Sequence, residues 1–278
     1  MIVEDNSDFS TARDGIEFKY GTIVVLGSTT FFYVLVKGAV KSIRRPTSLN
    51  EEEWSWRNLY VSWIHSCLCA MWVLMCILMY PELFNDPVYH INYVTYFCTC
   101  FGTGYFLYDF LDIVCNKKIS LRWEIVIHHI ACFALFYYCI YMKALIGFSI
   151  LALSVEVNSV FLHWRRLLLI VRTPFESPKY ILIKYLNLAT YLVFRGAPLY
   201  IITSSCFTMY HLVTLEFLTL GCTAMFLLDI MNVVLFWRCF KNDVIRGSNR
   251  FIFKKEKINC NKRDSNCNIV SKNKNSGS

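Results

Sequence analysis

Charged residues are scarce in this chain of 278 residues. They make up 17% of it, whereas hydrophobic residues make up 56%, and they stand between apolar runs of about 20 residues. A run of that length is enough to cross the hydrocarbon core of a bilayer as an α-helix. The distribution predicts an all-α polytopic membrane protein.

The sequence also lacks the motifs of several other protein classes. The 13 cysteines include no C-x-x-C pair, which argues against a disulfide framework and against a zinc site. The 6 histidines include no H-x-x-H pair and are too few for a histidine-rich membrane oxygenase, so we expect neither a metal nor another cofactor. No internal repeat typical of transporters is present. Neither Asp-Arg-Tyr nor Asn-Pro-x-x-Tyr, the motifs of G-protein-coupled receptors, occurs.

Lys and Arg are distributed unevenly among the connections between the apolar runs. They cluster after the first, third, fifth and seventh runs and are absent after the second and sixth. Because Lys and Arg accumulate on the cytoplasmic side, we expect the N-terminus outside or lumenal and the C-terminus in the cytoplasm. The first run is expected to remain as an anchor, because acidic residues precede it and no small-residue cleavage site follows. The predicted spans cover about 21–37, 59–80, 91–115, 123–142, 144–164, 180–204 and 212–237.

The net charge of +8 reflects this topology and a basic C-terminal region. It does not indicate a nucleic-acid-binding fold, and we expect no nucleic-acid partner. Residues 241–278 are basic, Asn-rich and too poor in apolar residues to fold, so a disordered cytoplasmic tail is predicted. The tail either binds anionic lipids of the cytoplasmic leaflet or is solvated without a partner.

Ionisable and amide residues occur inside six of the seven predicted spans. Ionisable groups are costly in a bilayer and usually face a bundle interior or a water-filled cavity. The first span has only Thr and Ser, so spans two to seven are predicted to form one enclosed unit with the first span outside it. The polar residues in question are His65, Asp109, Asp112, His128, His129, Glu156, Asn158, Asn187, Arg195, Asp229 and Asn232.

Four of these residues lie in one stretch, "YDFLDIVCNKKISLRWEIVIHHIA". Helical spacing places Tyr105, Tyr108 and both aspartates on one face, and the short basic turn brings Asp112 to a depth similar to that of His128. We expect the four to form the floor of a cavity that holds a lipid headgroup or an acyl thioester; a hydrogen-bonded strut between helices is the alternative. The predicted floor consists of Asp109, Asp112, His128 and His129.

Arg195 is the deepest formal charge in the predicted spans. A lone guanidinium at that depth costs about 2.5–3.5 kcal/mol on insertion scales. We therefore expect Arg195 to pair with a carboxylate, either Glu156 or Asp229.

Three kinds of chemistry fit the polar set. Two His and two Asp would suit zinc or iron, and Asp, Glu and His in series would suit an ion path. Acyl transfer fits better, because a histidine can act as general base or nucleophile while a carboxylate orients it.

Four segments carry a family resemblance. In this order and spacing, "WRNLYVSWIHS", "GYFLYDFLDIV", "WEIVIHHIACF" and "LALSVEVNSVFLHWRRLL" resemble the TLC-domain family, which includes the ceramide synthases. The likeness is greatest to the branch of TLC domain-containing proteins 1 and 2, the calfacilitin-like group. It implies a six-helix TLC barrel over residues 50–240 around a lipid-accessible cavity, preceded by one transmembrane helix, which we place at 21–40. The distribution of Lys and Arg makes segment 1–20 external or lumenal.

The resemblance also bears on function, because the TLC-domain family includes both enzymes and regulators of membrane lipids. His128 and His129 match the paired histidines of ceramide synthases, but the later His-Asp-x-x-Asp of those enzymes is replaced here by "SVEVNSVFLHW". The branch implies regulation of phospholipid acyl-chain composition and membrane fluidity at the plasma membrane, with the endoplasmic reticulum as the alternative location. The alternatives are an acyl-CoA-dependent acyltransferase and a non-catalytic lipid-binding protein that modulates a membrane partner.

The expected partners follow from this reading. They are membrane phospholipids, acyl-CoA and, at the basic tail, anionic lipid. The candidate catalytic residues are His128, His129, Asp109 and Asp112, and the candidate lipid- or substrate-binding residues are Tyr105, Tyr108, Glu156, Asn158, Arg195, Asp229 and His65.

Overall fold

The computed structural model describes residues 15–40 and 53–245, which contain helices and no β-strand. Most of the predicted segment 1–20 and of the basic tail 241–278 lies outside the described residues. The helices are α1 Phe18–Leu35, α2 Glu53–Met79, α3 Tyr93–Cys115, α4 Ile119–Met142, α5 Ile146–Leu153, α6 Val155–Ile170, α7 Pro178–Tyr191, α8 Ala197–Thr208 and α9 Leu215–Phe240.

The chain divides into two compact units. The first, Met1–Asn232, includes α1 to α8 and most of α9. The second, Val233–Ser278, includes, within the described residues, the end of α9 and a π-helical turn at Lys241–Ile245.

Five of the described helical segments are long and apolar enough to cross a membrane. The Thr, Gly, Tyr and Asp residues of α3 lower its hydropathy, and a π-helical turn separates α7 from α8. The helices fit a multi-pass membrane protein, while the count of seven spans, six of them in a barrel, stays a prediction. The five segments are Phe18–Gly38, Glu53–Met79, Ile119–Met142, Ile146–Ile170 and Leu215–Ile245.

The chain reverses direction sharply between α4 and α5. Lys143 and Leu145 both adopt left-handed backbone conformations, with φ of 51° and 61°. Lys143 ends α4, and Leu145 begins α5 while its N–H donates to Val88 O at 2.6 Å. This tight reversal holds the end of α4 close to the beginning of α5.

A proline accounts for the break between α7 and α8. Pro198 has no N–H to donate to the carbonyl of Phe194, four residues earlier, and its ring crowds that carbonyl. The backbone widens into a π-helical turn at Leu192–Gly196, which ends two residues before Pro198. Such turns are frequent at functional sites, and this one contains Arg195.

Helix α1 packs along α3. Gly104 makes this possible, because a Cβ there would overlap Val25 O and lie 2.6 Å from Ser28 Cβ. Thr29 Oγ1 donates to Gly104 O at 2.9 Å. At the other end of the contact Phe32 is fully buried, with its ring centroid 5.1 Å from that of Tyr105. The expectation that the first helix lies outside an enclosed unit of six helices stays a prediction.

Candidate functional site

A cavity of about 150 Å³ lies between α3, α4, α5, α6, α8 and α9. Most of the side chains that line it are aliphatic or aromatic. The residues of α9 that line the cavity extend from Phe217 to Asn232, which are 15 helical steps or about 22 Å apart. This exceeds the depth of one leaflet, which is about half of a hydrocarbon core of ~30 Å.

The ionisable groups of this cavity lie at the end away from the loops that connect α2 to α3, α4 to α5 and α8 to α9. The wall near the loops includes Val88, Leu145 and Met209, whereas the ionisable residues come from the far ends of the lining segments. The cavity is therefore amphipathic along its length. Its polar end consists of His128, Glu156, Arg195 and Asn232.

Arg195 is held by side chains from two helices. Its Nε donates to Asn158 Oδ1 at 3.1 Å, its Nη1 to Asn232 Oδ1 at 2.7 Å and its Nη2 to Ser159 Oγ at 2.8 Å. These three acceptors are neutral, and they form a cradle of amide and hydroxyl oxygens around the guanidinium. The planar fork of guanidinium donors suits such a fixed arrangement. The charge of Arg195 also acts on Glu156, and the expected pairing with a carboxylate stays a prediction.

The cradle is itself anchored by further hydrogen bonds. Asn158 Nδ2 donates to Asn187 O at 2.9 Å and to Thr190 Oγ1 at 3.1 Å. Asn232 Nδ2 donates to Leu228 O at 2.7 Å. Because the amide donors are used in this way, both amide oxygens point toward Arg195 and fix its orientation at the cavity.

Glu156 connects the cavity to a second buried cluster on α2 and α3. Its Oε2 accepts from Ser66 Oγ at 2.6 Å and lies 4.0 Å from His65 Nε2. The ring of His65 stacks on that of Tyr105, with centroids 3.6 Å apart and planes at 6°. Tyr105 in turn donates to Ser62 Oγ at 2.9 Å. Glu156 faces the cavity, whereas His65 and Tyr105 lie behind its wall.

The two adjacent histidines of α4 have different surroundings. His128 lines the cavity, and its Nε2 is 3.7 Å from the sulfur of Cys132. The Nδ1 of His129 lies 2.9 Å from Asp109 Oδ2, and Asn58 Nδ2 donates to the other carboxylate oxygen at 2.6 Å. Asp109 and His129 are buried in this contact and do not line the cavity.

Asp112 lies one helical turn after Asp109, near the end of α3. Its Oδ2 accepts from Trp54 Nε1 at 2.8 Å and its Oδ1 from Asn116 Nδ2 at 3.0 Å. The structure therefore does not place all four residues of the predicted floor in the wall of this cavity. Of the four, only His128 lines the cavity, because the two carboxylates are held by groups outside it: Asp109 by Asn58 and His129, and Asp112 by Trp54 and Asn116.

Two other predicted binding residues also lie away from the cavity lining. Tyr108 is buried against α1, with its ring centroid 5.9 Å from that of Phe32. Asp229 accepts from Thr203 Oγ1 at 2.9 Å and joins α8 to α9. Of the predicted set, the structure brings His128, Glu156 and Arg195 together, with Asn158 behind Arg195.

Several contributing residues were not among the predicted site residues. Asn58 and Ser66 hold the carboxylates of Asp109 and Glu156, and Asn232 completes the cradle of Arg195. A polar stripe on α2 could have indicated the first two. It consists of Asn58, Ser62, His65 and Ser66, at positions i, i+4, i+7 and i+8.

Metal-ligand geometry gives no further site. Within residues 15–40 and 53–245, no group of three or more His, Cys, Asp and Glu side chains is arranged to hold a metal ion.

Comparison with known proteins identifies the family to which this chain belongs. Residues 55–241 match the family model of the TLC domain. The chain belongs to the TLC-domain family. This confirms the resemblance carried by the four sequence segments, and it agrees with the helices in indicating a multi-pass membrane protein.

Relatives of this TLC-domain protein match it over most of its length. TLC domain-containing protein 2 of Danio rerio is 32% identical over 235 residues, which are 84% of this chain and 95% of that protein. TLC domain-containing protein 1 of Mus musculus is 30% identical over 226 residues, or 79% of this chain and 89% of that protein. TLC domain-containing protein 2 of Homo sapiens is 29% identical over 225 residues, or 81% and 85%. No solved structure matches the chain.

Proposed function

We propose that this TLC-domain protein binds the acyl chain of a membrane lipid in its cavity and thereby regulates phospholipid acyl-chain composition and membrane fluidity. The observation that carries the proposal is the amphipathic cavity, whose long apolar wall leads to a polar end at Arg195, Glu156 and His128. An amphiphile with an acyl chain and a polar head has the same distribution of polarity.

The polar end must supply most of the selectivity. An acyl chain that leaves the bilayer for an apolar cavity exchanges one apolar environment for another, so the transfer gains little from the hydrophobic effect. Polar groups within the apolar region differ, because lipid tails offer them no hydrogen bonds. The guanidinium of Arg195 and the carboxylate of Glu156 therefore distinguish one lipid head from another.

Filling the cavity provides the test of this proposal. A Cβ at Gly221, which lines the cavity, would have only Phe217 Cε1 near it, at 4.0 Å, so a larger side chain fits the backbone and projects into the open volume. Gly27 on α1 is exposed, and a Cβ added there would meet no atom within 4 Å. Both substitutions, Gly221→Leu and Gly27→Leu, raise helix propensity.

The measurement is the phospholipid acyl profile of cells that lack the protein and are supplied with each variant. Gly27→Leu should restore the profile and the membrane fluidity as wild type does, whereas Gly221→Leu should accumulate normally and fail to restore them. Full restoration by Gly221→Leu would contradict a role for the cavity.

A second candidate function is acyl-CoA-dependent acyl transfer of the ceramide-synthase type. The position of His128 in the cavity wall supports it, since a neutral imidazole can act as a general base. A purely lipid-binding protein that modulates a membrane partner is the third candidate. Transfer of a labelled acyl group by the purified protein separates the second candidate from the third.

We further propose a location in the plasma membrane, with the endoplasmic reticulum as the alternative, an external or lumenal N-terminus and a cytoplasmic C-terminus. The alternation of Lys and Arg between the apolar runs supports this orientation, and residues 241–278 would then meet anionic lipids of the cytoplasmic leaflet. Protease protection of tags placed before Met1 and after Ser278 tests it, and protection of both tags on one side would contradict it.

A further inference from the structure

We infer that Cys132 is an acyl acceptor, which His128 activates to form a thioester with a fatty acyl group inside the cavity. The inference rests on the proposed function, because it requires that the cavity take an acyl chain. It adds a covalent site and a donor class, a fatty acyl thioester.

The arrangement of α4 carries this inference. His128 and Cys132 are one helical turn apart, both line the cavity, and His128 Nε2 lies 3.7 Å from the Cys132 sulfur. A thiol and an imidazole within contact distance form the pair that nucleophilic catalysis by cysteine requires. His129, although adjacent in sequence, is directed to Asp109 and is not available for this role.

The cavity wall provides an apolar path along which an attached acyl chain would lie. Cys132 lies close to the polar end, and the wall of α4 continues from it through Leu135 and Phe136 toward the apolar end. An acyl group on Cys132 would therefore have its carbonyl near Arg195 and its chain along the apolar wall.

Two charges act on the sulfur of Cys132, those of Glu156 and Arg195. The guanidinium suits the oxyanion of a tetrahedral intermediate, whereas the carboxylate opposes a free thiolate. The proton of Cys132 must accordingly leave as the new bond forms, and the nearby imidazole is the group that receives it.

The step balances without an additional reactant. The Cys132 S–H proton passes to His128 Nε2 while the sulfur attacks the acyl carbonyl carbon of the donor thioester. The C–S bond of the donor then breaks, and His128 returns the proton to the departing thiolate. One thioester replaces another, so no oxidant, reductant or further energy source is needed.

A cysteine on the same wall provides a matched control. Cys139 lies seven residues after Cys132, lines the same cavity and is also buried. Its side-chain partner is the hydroxyl of Ser149 and not an imidazole. If S-acylation reflected only a thiol near lipid, Cys139 would be modified as readily as Cys132.

The experiment uses the full chain in phospholipid nanodiscs with an alkyne-tagged palmitoyl-coenzyme A. The label is quantified before and after neutral hydroxylamine, which cleaves thioesters, and its position is mapped by peptide mass spectrometry. We expect hydroxylamine-labile label at Cys132 in the wild-type chain, loss of it in Cys132→Ala and retention of it in Cys139→Ala. His128→Gln should slow labelling by about a hundredfold, the usual effect of removing a general base.

Labelling of Cys139 to the same extent as Cys132, or no label at Cys132 in the wild-type chain, would overturn the inference. Site mapping on the wild-type chain does not depend on the folding of any variant. Native mass spectrometry of the same samples reports bound phospholipid. Bound lipid without a thioester overturns this inference alone, whereas the absence of both also counts against the proposed function.

Discussion

The Nδ1 atom of His129 lies 2.9 Å from Oδ2 of Asp109, while the preceding side chain along the helix, His128, faces the cavity. Adjacent residues of an α-helix point about 100° apart. The first histidine of the pair is thus available to a ligand, and the second joins α4 to α3 and, through Asp109 and Asn58, to α2.

Removal of His129 should therefore destabilise the fold more than removal of His128. His129→Leu removes the imidazole that lies 2.9 Å from the buried carboxylate of Asp109 and leaves Asn58 as a donor to that carboxylate. Removing one member of a buried pair costs up to about 3–5 kcal/mol. His128→Leu strands no such group. The thermal unfolding midpoint of the purified protein in detergent should fall markedly for His129→Leu and little for His128→Leu, and Asp109→Leu combined with His129→Leu should recover part of the loss. Equal midpoints for the two single variants would contradict this assignment.

A second prediction concerns the docking of α1. Gly104→Ala places a Cβ against Val25 O and 2.6 Å from Ser28 Cβ, and both belong to the packed face of α1. Because backbone atoms cannot move aside as a flexible side chain can, α1 must shift away from α3. Disulfide crosslinking between cysteines introduced into α1 and α3 should become less efficient. Gly27→Ala, at an exposed position with open space around it, is the control and should crosslink as the parent does.

The sequence predicts helix positions well because the apolar runs and their basic connections report directly on the bilayer. It also identifies His128, Glu156 and Arg195, since an ionisable residue inside a span must face an interior. It does not predict that Asp109 and Asp112 turn away from the cavity. Their directions depend on the rotation of α3 against α2, and that rotation is set by tertiary packing with Asn58 and Trp54.

The cradle of Arg195 shows a different limit. Insertion cost predicts a partner for the guanidinium, and carboxylates are the strongest candidates by charge alone. The structure adds neutral oxygens from Asn158 and Asn232, which become neighbours only when α6 and α9 pack on both sides of the π-helical turn. No local pattern in any one helix contains this information. The carboxylate partner itself stays a prediction.

A third prediction concerns pH and the segment between α2 and α3. His90 Nε2 lies 3.2 Å from Nδ2 of Asn92, whose Oδ1 caps α3 by accepting from Thr95 N at 3.0 Å. Burial lowers the pKa of His90, and the nearby carboxylates of Glu82 and Asp86 oppose that shift only in part. Neutral His90 can accept from Asn92, whereas protonated His90 cannot.

The sign of the effect follows from linkage. Because the pKa of His90 is lower in the folded state than its unfolded value of about 6.5, the contribution to stability is present above that pH and is lost as the pH falls through the folded-state pKa. Between about pH 7.5 and about pH 5, the thermal unfolding midpoint of the wild-type chain should fall more than that of His90→Gln, which does not titrate. Parallel decreases in the two proteins would exclude His90 as the cause.

A fourth prediction tests the cradle of Arg195. Arg195→Lys keeps the charge but cannot reproduce the fork that reaches Asn158, Ser159 and Asn232. Hydrogen bonds to a charged group contribute about 1.5–3 kcal/mol each, so losing at least one should lower the free energy of unfolding by about that amount. Arg166→Lys, at an exposed position of α6, is the control and should change the unfolding midpoint little. Equal effects of the two exchanges would mean that Arg195 acts through its charge alone.

The last prediction separates His128 from Asp112, which the sequence places in one set. Asp112→Asn keeps an acceptor for Trp54 or Asn116 and removes nothing from the cavity, so it should cost no more than about 0.5–1.5 kcal/mol and leave lipid composition as in wild type. His128→Gln keeps a polar side chain of similar reach but replaces the imidazole that faces the cavity and Cys132. In cells that lack the protein, both variants should accumulate, Asp112→Asn should restore the phospholipid acyl profile, and His128→Gln should not. Restoration by both would show that the imidazole of His128 has no part in the function, and failure of both at normal abundance would return Asp112 to the site.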